Sequence, residues 1–197
     1  MGSPRQKNSA IDVPDGFALP AKTKWAFRPD IWKNASEFEI QGTVLSGTEL
    51  GAHVTLHHDG KNAAFNICRP DGDKRALQFT FSRFDGSFVS LAFALPQSEI
   101  RKLGRHDLLR LGLESTTSEP FEAYARLNLC YGPNTEQITR MIEIGRGQSF
   151  AEFDIFYTAF EPLRAADIWI DLIINAPQNR VITITNAVIL RRTRASL

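Results

Sequence analysis

From Trp25 onward, apolar and polar residues alternate in short runs that are broken by turn residues roughly every 8–12 positions, the spacing of a β-sandwich or barrel. Leu77, Phe79 and Phe81 share one face of a predicted strand, and Val89, Leu91, Phe93 and Leu95 share one face of the next. Asp85-Gly86 between them reads as a hairpin turn. Residues 53–57 alternate and end at Asp59-Gly60, a second hairpin signal, and residues 63–68 end at the turn Arg69-Pro70-Asp71-Gly72. Residues 108–114, 121–131, 137–144, 152–157, 168–174 and 181–190 continue the pattern, which gives about ten strands.

One stretch reads as helix, residues 97–103. Pro96 opens it, Glu99 lies in its first turn, Arg101 and Lys102 lie in its last, and Gly104 closes it. No helical period alternates with the strands, which excludes a βαβ architecture and the nucleotide folds built from it. The predicted fold is all-β, an antiparallel two-sheet β-sandwich of jelly-roll type with one short helix. Residues 1–24, with prolines at 4, 14 and 20, read as an extended or disordered N-terminal arm, and residues 25–197 as a single β-sandwich domain. A chain of 197 residues buries enough surface for a core without disulfides or metals.

Composition narrows the function classes. The 23 Lys+Arg against 22 Asp+Glu leave a net charge of +1, without the basic excess of a nucleic-acid binder. The dense basic run, Arg191-Arg192-Thr193-Arg194, reads as a solvated end. Cys68 and Cys130 sit in apolar strand segments and form no metal-ligand spacing, so both are expected reduced and buried. The first residues are not followed by the apolar stretch of a secretory signal, and no window approaches the ~20 apolar residues that cross a bilayer. The expectation is a soluble cytoplasmic protein with no nucleic-acid or membrane partner and no cofactor.

Three groups of residues carry candidate chemistry. In residues 121–131 the odd positions are apolar and the even ones include Tyr124, Arg126 and Asn128, while the minor face of residues 168–174 carries Trp169 and Asp171. Were these strands neighbours, one sheet face would combine aromatic rings with fixed hydrogen-bonding groups. Sugar rings require that combination, because their C–H faces stack and their hydroxyls need polar partners. The plainer reading of the same stripe is a solvated face with a cross-strand Arg–Asp pair. The second group is His57 and Asp59, about 6.6 Å apart on one strand face, with His106 downstream, the composition of a facial metal triad. The third is the loop at residues 132–136, which holds Asn134 and Glu136 behind Pro133. No Ser/His/Asp order and no glycine-rich phosphate loop is present in the sequence.

Several strings are similar to those of an uncharacterised family of alphaproteobacterial proteins. They are Trp25-Ala26-Phe27-Arg28-Pro29, Phe84-Asp85-Gly86-Ser87-Phe88, Ala125-Arg126-Leu127-Asn128, residues 131–138 and Trp169-Ile170-Asp171-Leu172-Ile173. The family has no assigned activity, so the resemblance implies no catalytic residues. The closing strands, with the turn Ala176-Pro177-Gln178-Asn179 before residues 182–188, resemble galactose-binding-like and carbohydrate-binding jelly rolls. That likeness implies a fold rather than a function. Together these features point to a non-catalytic binding or interaction module for a carbohydrate or protein ligand. The alternatives are a metal-dependent jelly-roll enzyme using His57, Asp59 and His106, and a structural subunit of an assembly.

Overall fold

A computed structural model describes residues 11–195. Among these residues the strands form two antiparallel sheets packed face to face. Sheet A runs β11 (Gly147–Asp154), β8 (Asp107–Thr117), β13 (Val181–Thr193), β6 (Leu77–Arg83), β5 (Ala64–Cys68), β2 (Glu39–Ile40), and β1 (Thr23–Phe27) also pairs with β13. Sheet B runs β10 (Asn134–Ile144), β9 (Phe121–Tyr131), β12 (Ala165–Asn175), β7 (Phe88–Ala94), β4 (Val54–His58), β3 (Thr48–Gly51). The architecture is the all-β jelly-roll sandwich that the alternation predicts. Two short helices are present rather than one, α1 (Asp30–Lys33) and α2 (Gln97–Ile100), and α2 ends three residues before the expected boundary.

The connections differ from the local reading. β6 and β7 do not pair: β6 lies in sheet A between β13 and β5, and β7 lies in sheet B between β12 and β4. Asp85-Gly86 therefore carries the chain from one sheet to the other, and Asp59-Gly60 does the same between β4 and β5. The two crossings interlock. Asp59 Oδ1 accepts from the backbone N–H groups of Ser87 (2.7 Å) and Phe88 (3.1 Å), while Asp85 Oδ1 accepts from that of Asn62 (2.9 Å). β9 and β10 do form a hairpin, closed by Gly132-Pro133 alone, with Gly132 at φ 55°. Positive φ at the first turn residue and proline at the second suit a type II′ turn. The expected five-residue loop is accordingly a two-residue tip, and Asn134 and Glu136 belong to β10.

The core lies between the sheets and is rich in aromatic rings, among them Phe65, Phe79, Phe81, Phe93, Phe153 and Phe160. Trp32 is wholly buried and donates its indole N–H to Ile184 O at 2.9 Å. Residues 11–22 lie against the outer face of sheet A, where Phe17 packs with Ala26, Val188 and Leu190. Gly112 makes this approach possible, since a Cβ there would sit 2.6 Å from the Phe17 ring. The part of the expected arm before residue 11 lies outside the described residues. One outer face of the sandwich is thus partly covered by the chain's own strap, and the outer face of sheet B keeps its central strands open.

The basic run is not a solvated end. Arg191 is buried in β13 with Glu99 (3.4 Å) and Asp107 (3.6 Å), Arg192 pairs with Glu152 (2.7 Å), and Arg194 pairs with Asp154 (2.9 Å). Its charge is spent holding β13 to α2, β8 and β11. Cys68 and Cys130 are free but only half-buried, because each occupies the outward position of its strand.

Candidate functional site

The register of sheet B places the outward residues of β9 and β12 side by side. Arg126 lies opposite Asp171, Asn128 opposite Trp169, and Tyr124 opposite Ile173. The rows continue across the sheet: Gln137–Asn128–Trp169–Ala94, then Thr139–Arg126–Asp171–Ala92–Thr55, then Met141–Tyr124–Ile173–Ser90–His57. The outward positions of β7 between Phe88 and Leu95 are all small, Ser90, Ala92 and Ala94. Low side chains in the middle of a sheet, with Trp169 and Arg126 on one side and His57 on the other, leave a depression. It measures about 490 Å³, and Phe88 lines it together with Leu95, Ile100 and Ile168. That volume falls in the range of small-ligand clefts.

A polar network lines one side of the depression. Asp171 is 4% exposed, and its Oδ2 accepts from Arg126 Nε (3.1 Å), Arg126 Nη2 (2.8 Å) and Asn128 Nδ2 (3.0 Å). Asn128 is wholly buried, donates a second bond to Arg126 O, and accepts from Gln137 Nε2 at 2.8 Å. Every bond of Asp171 in this network falls on Oδ2, which leaves Oδ1 with acceptor capacity, and Arg126 Nη1 takes no part in it. At the rim, Gln97 Nε2 donates to Asp167 Oδ1 at 3.1 Å and so ties α2 to the start of β12. The cross-strand Arg–Asp pair that the sequence offers as the plain reading exists, and it is part of the wall of a cavity.

Of the five stripe residues, Arg126, Asn128, Trp169 and Asp171 line this one cavity. Tyr124 shares the face but lies one row beyond, beside Met141 and Ile173, and does not line it. Thr55, Ser90, Gln137, Asp167 and His57 also line it, and the sequence reading of the stripe had none of them. The small outward residues of β7 were the available signal, since three of them in alternation on one strand mark a low point on a sheet face.

The metal alternative scatters. His57 belongs to the cavity, whereas Asp59 lies at the sheet crossing and accepts from Ser87 Oγ as well as the two backbone N–H groups. These donors, the Ser87 hydroxyl first, hold its carboxyl below the usual carboxylate range. His106 lies beyond α2 with its ring 5.3 Å from that of Phe156. Asp59 contacts the start of β7 and His106 follows the helix after its end, so the strand's length of roughly 20 Å separates their places in the fold. Among the described residues no group of three or more His, Cys, Asp or Glu side chains is placed to hold a metal.

A larger hollow of about 640 Å³ lies beside the β5–β6 turn. Its central cation, Arg69, donates to the backbone oxygens of Ser36, Arg75, Ala76, Ile31 and Asn34, which uses all five of its N–H groups. Arg69 is a clamp on the surrounding loops and has no donor left for a ligand. Among the described residues no helix is long and apolar enough to cross a membrane.

Comparison with known proteins gives distant structural likenesses. The chain is similar to the enzymatically active domain of tailspike protein 4 of bacteriophage CBA120, at 11% identity and a TM-score of 0.42, with 84% of this chain and 20% of that one covered. It spans about a fifth of that tailspike chain. It is also similar to a structure described as "CBM4 structure and function" (10% identity, TM-score 0.43, 70% of this chain and 86% of that). A third is the family 11 carbohydrate-binding module from Clostridium thermocellum (11% identity, TM-score 0.40, 81% and 90%). Likeness at this level carries no functional assignment. No curated protein matches the chain. The match that covers nearly the whole sequence, residues 5–197, is to the family of unknown function DUF6478, and the chain belongs to that family.

Proposed function

We propose that the protein is a carbohydrate-binding module whose ligand lies across the outer face of sheet B in the 490 Å³ cavity. The observation that carries the reading is the joint placement, around one depression, of an outward aromatic ring, a smooth apolar floor and a fixed polar network. Trp169 offers a flat π-face for the C–H side of a pyranose, a contact of about 0.5–1.5 kcal/mol beyond area burial. Ala92 and Ala94 let a ring approach the sheet closely. Arg126, Asp171 and Gln137 are held by bonds to one another and to Asn128, so they meet a ligand's hydroxyls without first being ordered. The carboxylate of Asp171 is already occupied by three donors, a state suited to positioning rather than to proton transfer.

A glycan microarray probed with the full chain and with Trp169→Ala tests the proposal. The expected result is binding to a discrete set of oligosaccharides, weakened at least about tenfold by the substitution, the loss of one stacked ring in a small site. Absence of glycan binding, or binding that survives Trp169→Ala unchanged, overturns it.

A further inference from the structure

We infer that this cavity selects uncharged sugars and rejects acidic ones, and that its arginine recognises a pair of neighbouring hydroxyls instead of an anion; the inference rests on the carbohydrate reading above. Arg126 is the one cation among the lining residues. An arginine that captures a carboxylate, sulfate or phosphate presents two parallel N–H donors as a fork. Here Nε and Nη2 both donate to Asp171 Oδ2, at 3.1 and 2.8 Å, so one edge of the guanidinium is filled and its charge is matched from within the protein. Asp171 cannot swing aside to release it, because the carboxylate is 4% exposed and is also held by Asn128, itself wholly buried.

The remaining charge in the cavity is negative. Arg126 stands against two carboxylates, Asp167 and Asp171, which leaves the Asp and Arg side chains of the lining at a formal −1. An acidic sugar would meet a guanidinium whose charge is already matched by Asp171 and would approach Asp167 at the rim, a like-charge contact. An uncharged ring meets what the network leaves over, the Nη1–Nη2 edge of Arg126 with its two donors side by side. Two neighbouring hydroxyls accept from that edge together. Gln137, whose Nε2 is committed to Asn128, offers its carbonyl oxygen to a third.

The test uses matched oligosaccharide pairs that differ in whether C6 carries a hydroxymethyl group or a carboxylate, such as galactan with galacturonan oligomers and mannan with mannuronan oligomers. Titration calorimetry with the full chain at low salt is expected to show binding of a neutral member and at least about tenfold weaker binding of its acidic counterpart, the scale of one like-charge contact at a partly solvated site. The gap is expected to narrow in Asp167→Asn, which keeps the rim hydrogen bond to Gln97 and removes the charge, and in 0.5 M salt, which screens it. Acidic members that bind as tightly as the neutral ones overturn the inference and leave the carbohydrate reading standing. A panel in which neither member of any pair binds overturns that reading, and this inference with it.

Discussion

Replacing Arg126 with methionine should destabilise the protein more than replacing Asp171 with alanine, although the two form one ion pair. The asymmetry follows from their burial. The Asp171 side chain is 6% exposed and the Arg126 side chain 37%. Asp171→Ala strips the guanidinium of its partner, but a cation that exposed rehydrates, so the lost pair costs only about 1 kcal/mol. Asn128 Nδ2 keeps its bond to Arg126 O and loses the one to Asp171, about 1 kcal/mol more, and the small void adds a few tenths. The sum is a little over about 2 kcal/mol. Arg126→Met instead leaves a desolvated carboxylate with one donor, and removing one partner of a buried pair costs about 3–5 kcal/mol. Because the carboxylate borders a cavity that admits water, the lower end of that range applies. At this chain length about 1 kcal/mol moves Tm by roughly 2–4 °C, so urea and thermal unfolding at pH 7 resolve the two variants. The pair Asp171→Leu with Arg126→Met should be less damaging than Arg126→Met alone, since no charge is then stranded. An Arg126→Met variant milder than Asp171→Ala, or additive losses in the double variant, would refute the view that the carboxylate is the desolvated partner.

Glu152 provides the pH test. Burial raises its carboxyl, but the bonds from Arg192 and Arg110 outweigh that and hold it below the ordinary glutamate value. A depressed folded value means that its stabilisation is complete above about pH 4.5 and is lost as pH falls through the folded value. Wild type should therefore exceed Glu152→Gln in stability at neutral pH, with the difference closing in acid; a pH-independent difference contradicts this. Gly86→Ala should cost about 2–4 kcal/mol in denaturant unfolding, since a Cβ there meets Asp59 Oδ1 at 2.5 Å and the backbone nitrogen of Gly60 at 2.6 Å. A neutral effect would show that the two sheet crossings do not interlock in solution. Cys68 and Cys130 should both react with a thiol reagent without denaturant, because both are half-exposed on outward strand positions. Reaction only after unfolding would contradict their placement.

The strands were readable where one face meets the core and the other meets water, because period-2 alternation survives only there. β9 is the clear case, with Ala123, Ala125, Leu127 and Leu129 inward and Tyr124, Arg126 and Asn128 outward. β1 escaped because Trp25 and Ala26 are adjacent and both buried, one facing the core and the other the strap of residues 11–22. The Asp-Gly signals marked chain reversals correctly, but a reversal within a sheet and a crossing between sheets use the same turn chemistry, so β6 and β7 read as partners. The candidate stripe on β9 and β12 could be drawn from alternation alone. That it faces the small residues of β7 depends on β7 pairing β12, a contact some 80 residues apart in sequence that no local pattern encodes. The same long-range pairing turns Asn128 from an expected surface residue into a wholly buried one, covered by Gln137 and Asp171. The arginines of the C-terminal run reveal their partners, Glu99, Asp107, Glu152 and Asp154, only once β8, β11 and β13 are assembled.

The three tryptophans supply the most direct test of the cavity as the ligand site. The indole N–H of Trp32 is buried and bonded to Ile184 O, Trp25 is buried in the core on β1 of sheet A, and of the three only Trp169 lines the cavity. In a two-dimensional nitrogen–proton spectrum of the full chain, the three indole resonances are to be followed during titration with the neutral oligosaccharides of the matched pairs. The expected result is a saturable shift of the Trp169 resonance, identified by its loss in Trp169→Phe, with Trp25 and Trp32 unmoved. A saturating ligand that leaves the Trp169 resonance in place, or no shift with any sugar of the panel, would contradict the account.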